Sequence, residues 1–485
     1  MSQDSQKPDV SRRNFLKTGA KAGAAGLTAF SGITFITNPE RVFGANDRVR
    51  VAVCGLRGRG NNHIHAYAAL SNASVAALCD VDENILDNRL SEVEKMGKPR
   101  PRRFIDCRRI MDDKSIDAVS VATPDHWHSL IGIYACQAGK DAYVEKPVSH
   151  SWFDGYQLVK AAEKYDRVVQ MGAQSRSNSA IQEAIKHLND GLIGDVYLAR
   201  GLCYKWRDTI GHTPVSPVPA GVHYDLWLGP APRHAFTRNR FHYNWHWFWD
   251  YGSGDLGNQG IHEVDICRWG LGADYPSKIT AIGGHFMFKD DQQTPNVLNC
   301  AYEFELPDGS RRMMEFEVRG WMTNHEAGIG TGLFKSGGVP AAGLATHHAL
   351  LKARKQGPQL GPVAHAPGTI GNIFYGSKGY LAIEGYDSYR TWLGENQEPG
   401  PQANGKGDHF ANFIDAVVNR KKQELNAPIE EGHKSTLLVN LANVSYRLGR
   451  TINFDGKTQR IVGDEEASRM FHGTFRAPFE VPENV

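Results

Sequence analysis

The chain has 485 residues, 41% hydrophobic and 22% charged, with 51 Gly and 23 Pro. These are globular proportions, too apolar for a disordered chain, and the length exceeds what one core usually fills, so two domains are expected. Of 55 basic and 53 acidic residues, six and three fall within the first 45; the body carries 49 against 50, which gives no electrostatic reason to expect nucleic acid or an anionic membrane as partner.

The chain opens with Ser11-Arg12-Arg13-Asn14-Phe15-Leu16-Lys17, followed by a weakly apolar stretch of Gly, Ala and Thr to about Ile36. This resembles a twin-arginine export signal and implies a leader over 1–45, cleaved near Gly44–Ala45. The alternative, a short membrane anchor, is disfavoured by Lys21 and the many small residues. The resemblance implies an exported, periplasmic, soluble mature protein that uses the twin-arginine machinery as a partner. That route carries folded proteins, so a nucleotide could be acquired in the cytoplasm. Folding in a reducing compartment also accounts for seven Cys without a C-x-x-C pair, which read as buried thiols.

From Arg48 short β-branched runs alternate with helical stretches. Val49–Cys54 reads as a strand, Gly55–Gly60 as a turn and Asn61–Leu70 as a helix. Ser74–Cys79 is the next strand, ending at Asp80, before a helix from about Asp82 to Met96. A weaker strand near Arg103–Ile105, strands Ala118–Ala122 and Ala142–Glu145, a helix Leu130–Gln137, a helix Ser151–Lys164 and a strand Val168–Gly172 follow. Such alternation predicts a doubly wound parallel sheet covered on both faces. Beyond a boundary near Gly172–Ser177 and a helix Ala180–Asn189, longer alternating segments appear at Val196–Tyr204, Lys278–Phe288, Leu298–Leu306 and Arg311–Val318. They predict an α+β domain with an open, largely antiparallel sheet. Gly320–Gly371 reads as a surface excursion, Asn372–Glu384 as a hairpin, and His409–Arg420 and His433–Leu448 as closing helices. The domains expected are thus a nucleotide-binding one over 46–174 and a substrate-binding and oligomerisation one over 175–485.

Gly55-Leu56-Arg57-Gly58-Arg59-Gly60 follows the first strand and opens a helix, and Asp80 ends the second strand. Backbone amides and a helix N-terminus would face a pyrophosphate, with a carboxylate accepting from a ribose hydroxyl. In the G-x-G-x-x-G fingerprint the middle Gly is here Arg57, whose side chain could obstruct the approach or turn outward to pair with phosphate. Asp80 would repel a 2′-phosphate, which favours NAD over NADP.

Two further motifs, Ala122-Thr123-Pro124-Asp125-His126-Trp127-His128 and Val144-Glu145-Lys146-Pro147, end the fourth and fifth strands. With Gly55–Gly60 they resemble the Gfo/Idh/MocA oxidoreductases over about 48–175. The resemblance implies a Rossmann domain binding NAD, with Thr123, Pro124, Asp125, His128, Glu145 and Lys146 along the cofactor. It sets Lys146 beside the nicotinamide and the substrate hydroxyl, with Pro147 often cis. Strand ends of open α/β sheets are where ligands bind, and a Lys beside other cationic groups has its pKa lowered toward proton transfer.

In the second domain, Asp250–Asp265 resembles the family's D-x-x-x-H segment. His262 matches the His, while Asn258 stands in the Asp position and can orient a hydroxyl but take no proton. Lys146 and His262 are therefore the candidate catalytic pair, with Asn258 a positioning group. Upstream, Phe241–Trp249 is dense in aromatic residues suited to sugar faces, Trp245 and His246 among them. The bland alternative for that segment is a core or subunit contact, and for His262 a satisfied core histidine; Tyr204 and Arg207 are further candidates for substrate binding.

The resemblance implies hydride transfer to NAD from a secondary hydroxyl of a sugar, glycoside or cyclitol, and the scarcity of free nucleotide outside the cytoplasm predicts a tightly held cofactor. A runner-up known in the family is transient oxidation, elimination and net glycoside hydrolysis. Further alternatives are a non-catalytic sugar- or nucleotide-binding relative and a metal hydrolase using His212, His223, His242, His246 and His262; His242 and His246 have i, i+4 spacing, but no H-E-x-x-H or carboxylate-bracketed pattern accompanies them. Relatives form dimers or tetramers, so a homo-oligomer is expected, and no bound metal.

Overall fold

A computed structural model describes residues 48–306, 308–321 and 369–485. The segment read as an export signal, and most of the excursion Gly320–Gly371, lie outside the described residues.

Five largely buried runs and one exposed edge segment, β3, form six parallel strands: β1 Val49–Cys54, β2 Ala73–Cys79, β3 Arg102–Phe104, β4 Ala118–Val121, β5 Asp141–Val144 and β6 Val169–Met171. Their order is β3-β2-β1-β4-β5-β6, so the chain reverses direction across the sheet between β1 and β4. Five helices connect them: α1 Gly58–Ala69, α2 Glu83–Lys95, α3 Arg108–Met111, α4 Asp125–Gln137 and α5 Trp152–Lys164. Two begin earlier than periodicity suggests. Helix α1 starts inside the glycine run at Gly58, and α4 starts at Asp125, directly behind Pro124 as N-cap.

The second sheet has ten strands. It contains β7 Val196–Tyr204, β8 Lys278–Gly284, β9 Val297–Glu305, β10 Arg311–Arg319, β11 Thr369–Gly376, β12 Gly379–Glu384, β13 Ser388–Leu393, β14 Glu398–Asn404, β15 Ile452–Asp455 and β16 Arg460–Ile461. Their order is β14-β13-β12-β11-β7-β10-β9-β8-β15-β16, and only β7 and β10 pair in parallel. Helices α6 Ser179–Asn189, α7 Tyr224–Leu228, α8 Ile261–Leu271, α9 His409–Asn419, α10 Ile429–Leu448 and α11 Glu465–His472 complete the body. Strand β8 stops at Gly284 rather than Phe288, where Met287 takes φ +80°. Strands β13 to β16 and helix α11 add to the elements expected.

Behind the cleft the two sheets are joined through buried charge. Arg176, just past β6, forms a two-pronged pair with Asp265 of α8 (2.7 and 2.8 Å), and Asp265 also accepts from Ser435 of α10 (2.6 Å). All three are buried, so the satisfied network pins α8 at one angle to both sheets. No helix among the described residues is long and apolar enough to cross a membrane.

Candidate active site

The carboxyl ends of β1, β2, β4 and β5 open on one cleft of about 520 Å³, where strand order reverses. Its floor is the turn after β1. Gly55 holds φ +80°, and a Cβ there would stand 2.6 Å from the Ala122 carbonyl oxygen; one on Gly60 would stand 1.7 Å from the Gly55 carbonyl oxygen. Only glycine lets β1, β4 and α1 converge this closely. Gly58, by contrast, faces open space, leaving the first turn of α1 bare toward the cleft.

Leu56 is buried, and its amide donates to Asp80 Oδ2 (2.8 Å) while the Asp82 amide donates to Oδ1 (3.0 Å). Asp80 is thereby held at the end of β2 with its carboxylate at the cleft wall. Burial raises its pKa against the pull of those two amides. Arg57 turns aside to Asp82 Oδ2 (2.9 Å) and the His242 Nε2 (2.7 Å), which sets its guanidinium in the wall of the cleft. Arg59 donates through Nε to Glu145 Oε1 (2.7 Å), and its buried Nη2 has no hydrogen-bond partner. The buried Thr123 Oγ1 on the same cleft is also without one.

Across the cleft, His128 stands between the Pro147 carbonyl (2.6 Å) and the Thr123 carbonyl (2.7 Å), tying together the exits of β4 and β5. The Lys146–Pro147 peptide is cis. Glu145 lies behind Lys146 and accepts from Arg59, from Gln174 (3.1 Å) and, at 3.0 Å, faces the buried His63. Burial alone would raise Glu145, but Arg59, His63 and Lys146 outweigh it and hold the carboxyl well below its ordinary range. For Lys146 burial wins, lowering its pKa despite the charges of Glu145 and Asp125. Asp125 opens α4, accepts from Ser253 Oγ (3.2 Å), and is pushed by burial up to about 7.

The Lys146 ammonium donates to the main-chain carbonyl of Asn258. Residues Leu256–Gly260 form a π-helical turn leading into α8, a widening common at functional sites. The Asn258 side chain turns to Asp255 (3.2 Å), so its carbonyl rather than its amide meets the lysine. His262, one turn on, is not among the walls of the cleft, but the Lys146 charge is the strongest electrostatic influence on it. Burial first, and that charge second, push the imidazole down to about 3, so it is neutral at physiological pH. Its Nδ1 has no hydrogen-bond partner, and the Tyr386 ring meets it edge-on at 5.4 Å.

Trp245 and His246 line the cleft from above, their rings stacked at 3.6 Å, with Phe241, His242 and Tyr243 beside them. Tyr204 and Arg207 do not join them. Tyr204 is buried on β7, bonded to Glu317 (2.8 Å) and covered by Arg319, because the register of β7 against β10 sets it on the sheet face that carries those two residues, opposite the face on which Gly201 meets α8. Arg207 is taken up by both oxygens of Asp255 (2.9 and 2.8 Å) and by the Tyr243 hydroxyl (3.3 Å). It buttresses the π-helical turn instead of lining the cleft. Of the other histidines weighed as metal ligands, His212 pairs with Asp291 (2.7 Å) and His223 with Glu83 (2.9 Å); among the described residues no group could hold a metal ion.

Sequence reasoning passed over Tyr386, which reaches His262 from the turn between β12 and β13, and Glu263. Glu263 is buried, raised by burial to about 8, and accepts from Gln259 (3.0 Å). A carboxylate next to the candidate His in the motif was a usable signal; Tyr386, distant in sequence, left none.

Residues 49–173 match an oxidoreductase family, NAD-binding Rossmann fold, and residues 178–310 and 382–481 match its C-terminal alpha/beta domain. The chain is similar to a glycosyl hydrolase family 109 protein of Saccharopolyspora erythraea, 28% identical over 214 residues, which cover 41% of this chain and 46% of that protein. It is likewise similar to one of Streptomyces coelicolor, 29% identical over 214 residues, 41% and 45% of the two chains. The alignments thus span just under half the length of these curated relatives. Among solved structures, the WlbA dehydrogenase of Bordetella pertussis in complex with NADH and UDP-GlcNAcA superposes at TM-score 0.58 and 18% identity, over 84% of this chain and 99% of that one. The aldose-aldose oxidoreductase of Caulobacter crescentus does so at TM-score 0.56 and 19% identity, over 84% and 100%. At these identities the likeness establishes the fold.

Proposed function

The chain belongs to the Gfo/Idh/MocA oxidoreductase family, its first domain an NAD-binding Rossmann fold, and from that premise we propose that it oxidises a secondary hydroxyl of a sugar, glycoside or cyclitol. The observation that carries the reading is the convergence of Lys146 and the Asn258 turn on a cleft that also holds the glycine turn and Asp80.

The residues present fit the dinucleotide. Arg59 Nη2 and Thr123 Oγ1 are buried on the cleft without a partner, and Gly58 leaves the N-terminus of α1 open to a pyrophosphate. Asp80 is positioned for ribose hydroxyls and against a 2′-phosphate. When bound, NAD supplies the hydride acceptor.

Lys146, with its lowered pKa and its ammonium anchored on the Asn258 carbonyl, holds and moves the proton of the reacting hydroxyl. His262, kept neutral one turn beyond Asn258, is the second group we assign to that proton's relay. Asn258 cannot replace a carboxylate as base, so the burden falls on these two. Trp245 and His246 give a sugar ring an aromatic face and exclude water above it. Segments of the second domain also close over the nucleotide: His242 meets Arg57, and the His223 amide donates to the Val81 carbonyl (2.9 Å). Such enclosure supports a retained cofactor.

The names of the curated relatives favour a second reading, in which oxidation is transient and permits elimination of a glycosidic substituent, ending in hydrolysis. Product analysis of the NAD-loaded protein with a panel of sugars and glycosides separates the two. A ketosugar accumulating with reduced nucleotide supports the dehydrogenase, whereas a free reducing sugar without net nucleotide reduction supports the hydrolase. No conversion of any member overturns both.

We also propose export by the twin-arginine route and self-association. Ile282 and Met313 stand exposed on one face of the second sheet among Lys278, Glu303 and Glu317, a mixed face we assign to a second copy of the chain.

A further inference from the structure

Behind the active-site cleft lies a second cavity of about 400 Å³, within the size range of small-molecule sites (about 300–1,000 Å³). It is enclosed by the segment Trp249–Ser253, the C-terminal half of α10, helix α11 and the residues just after it. Nothing in the oxidation mechanism uses it.

Its polar groups are unevenly satisfied. The acceptors are engaged: Asp250 lies 2.8 Å from His234, and Glu466 accepts from Arg450 (2.7 Å). The donors are not. Asn440 is buried, and its Nδ2 has no hydrogen-bond partner. The Arg447 guanidinium lies 5.1 Å over the Trp249 ring and, among the described residues, forms no salt bridge, although the Asp250 charge acts on it. A guanidinium over an aromatic ring and outside an ion pair has its edge to offer to a planar, two-pronged acceptor. Trp249, Phe471 and Phe475 add an apolar wall suited to the C–H face of a ring.

We propose that this cavity binds a small organic carboxylate with a sugar-sized body, its carboxylate on Arg447 and a further oxygen on Asn440. The site has a physical link to the first. The Asn443 amide donates to the Ser253 carbonyl (3.2 Å), and the Ser253 hydroxyl donates to Asp125 on the nucleotide cleft. The proposal stands whether the cleft performs net oxidation or net hydrolysis.

The test is calorimetric titration of NAD-saturated protein with glucuronate, with inorganic sulfate as the bare-oxyanion control. One equivalent of glucuronate is expected to bind, weakened about tenfold or more by Arg447→Gln. Arg447 is exposed at the cavity mouth, so the variant should keep the wild-type unfolding temperature, which is measured alongside. No binding, or binding unaltered in Arg447→Gln, overturns the proposal. Sulfate binding as tight as glucuronate and equally lost in the variant overturns the assignment to an acidic sugar.

Discussion

Arg57 Nη2 lies 2.7 Å from His242 Nε2, so the residue that replaces the middle glycine of the nucleotide turn fastens that turn to the second domain. The same Nη2 holds Asp82 at 2.9 Å. Arg57 thus closes the rim over the cofactor seat, with His242 kept at φ +75° to meet it. Arg57→Met should speed release of bound NAD about tenfold, as loss of a charge-assisted contact implies, while activity per bound nucleotide is retained. Trapping of released NAD measures it; an unchanged release rate contradicts the assignment.

His262 is expected to take part in proton movement without holding the cofactor. His262→Asn should lower kcat by about 10²–10⁴-fold, the range for removing a general acid–base group, with NAD content unchanged. Loss of NAD together with activity would point to a structural role.

Asp125 tunes the lysine. Its charge is among the influences that raise Lys146 against burial, so Asp125→Asn should lower the Lys146 pKa further. The limb of the pH–rate profile that reports the lysine should move to lower pH, with a smaller effect on the plateau. A shift to higher pH would contradict this.

Stability should fall steeply in mild acid. Burial pushes His126, His246 and His262 down to about 3, and His409 and His433 down to about 4, from 6.5. Below pH 6.5 the unfolded chain takes up protons that the folded protein refuses. The stability these groups contribute is whole above that value and declines as pH falls toward their folded values. Asp125 and Glu263, raised to about 7 and about 8, act in the opposite sense over their own windows and are outnumbered. Unfolding temperatures between pH 7 and 4 check the direction.

The parallel sheet was legible because strands covered on both faces, such as Val49–Cys54, are near-continuous apolar runs rich in valine whatever their neighbours. The edge of the second sheet was not: β14 carries Pro399, Gly400 and Pro401 and is mostly exposed, so it has no hydrophobic pattern to read. In the cleft, residues at strand ends such as Gly55, Asp80 and Lys146 follow from topology. Which way Tyr204 points depends on the register of β7 against β10 and β11, which sequence alternation near a strand end leaves open. The π-helical turn that brings the Asn258 carbonyl, not its amide, to Lys146 has no sequence signature. Tyr386 reaches His262 only through pairing of β12 with β13, far along the chain.

The central claim is that Lys146 moves the proton when a sugar hydroxyl is oxidised in this cleft. The most direct measurement is a single turnover of NAD-loaded protein, wild type and Lys146→Met, followed through the near-ultraviolet absorbance of reduced nicotinamide. The account predicts reduction of up to one equivalent per chain in the wild type, lasting or transient, and its loss in Lys146→Met with NAD still bound. Undiminished reduction in the variant, or conversion of a glycoside without any nucleotide reduction, would contradict it.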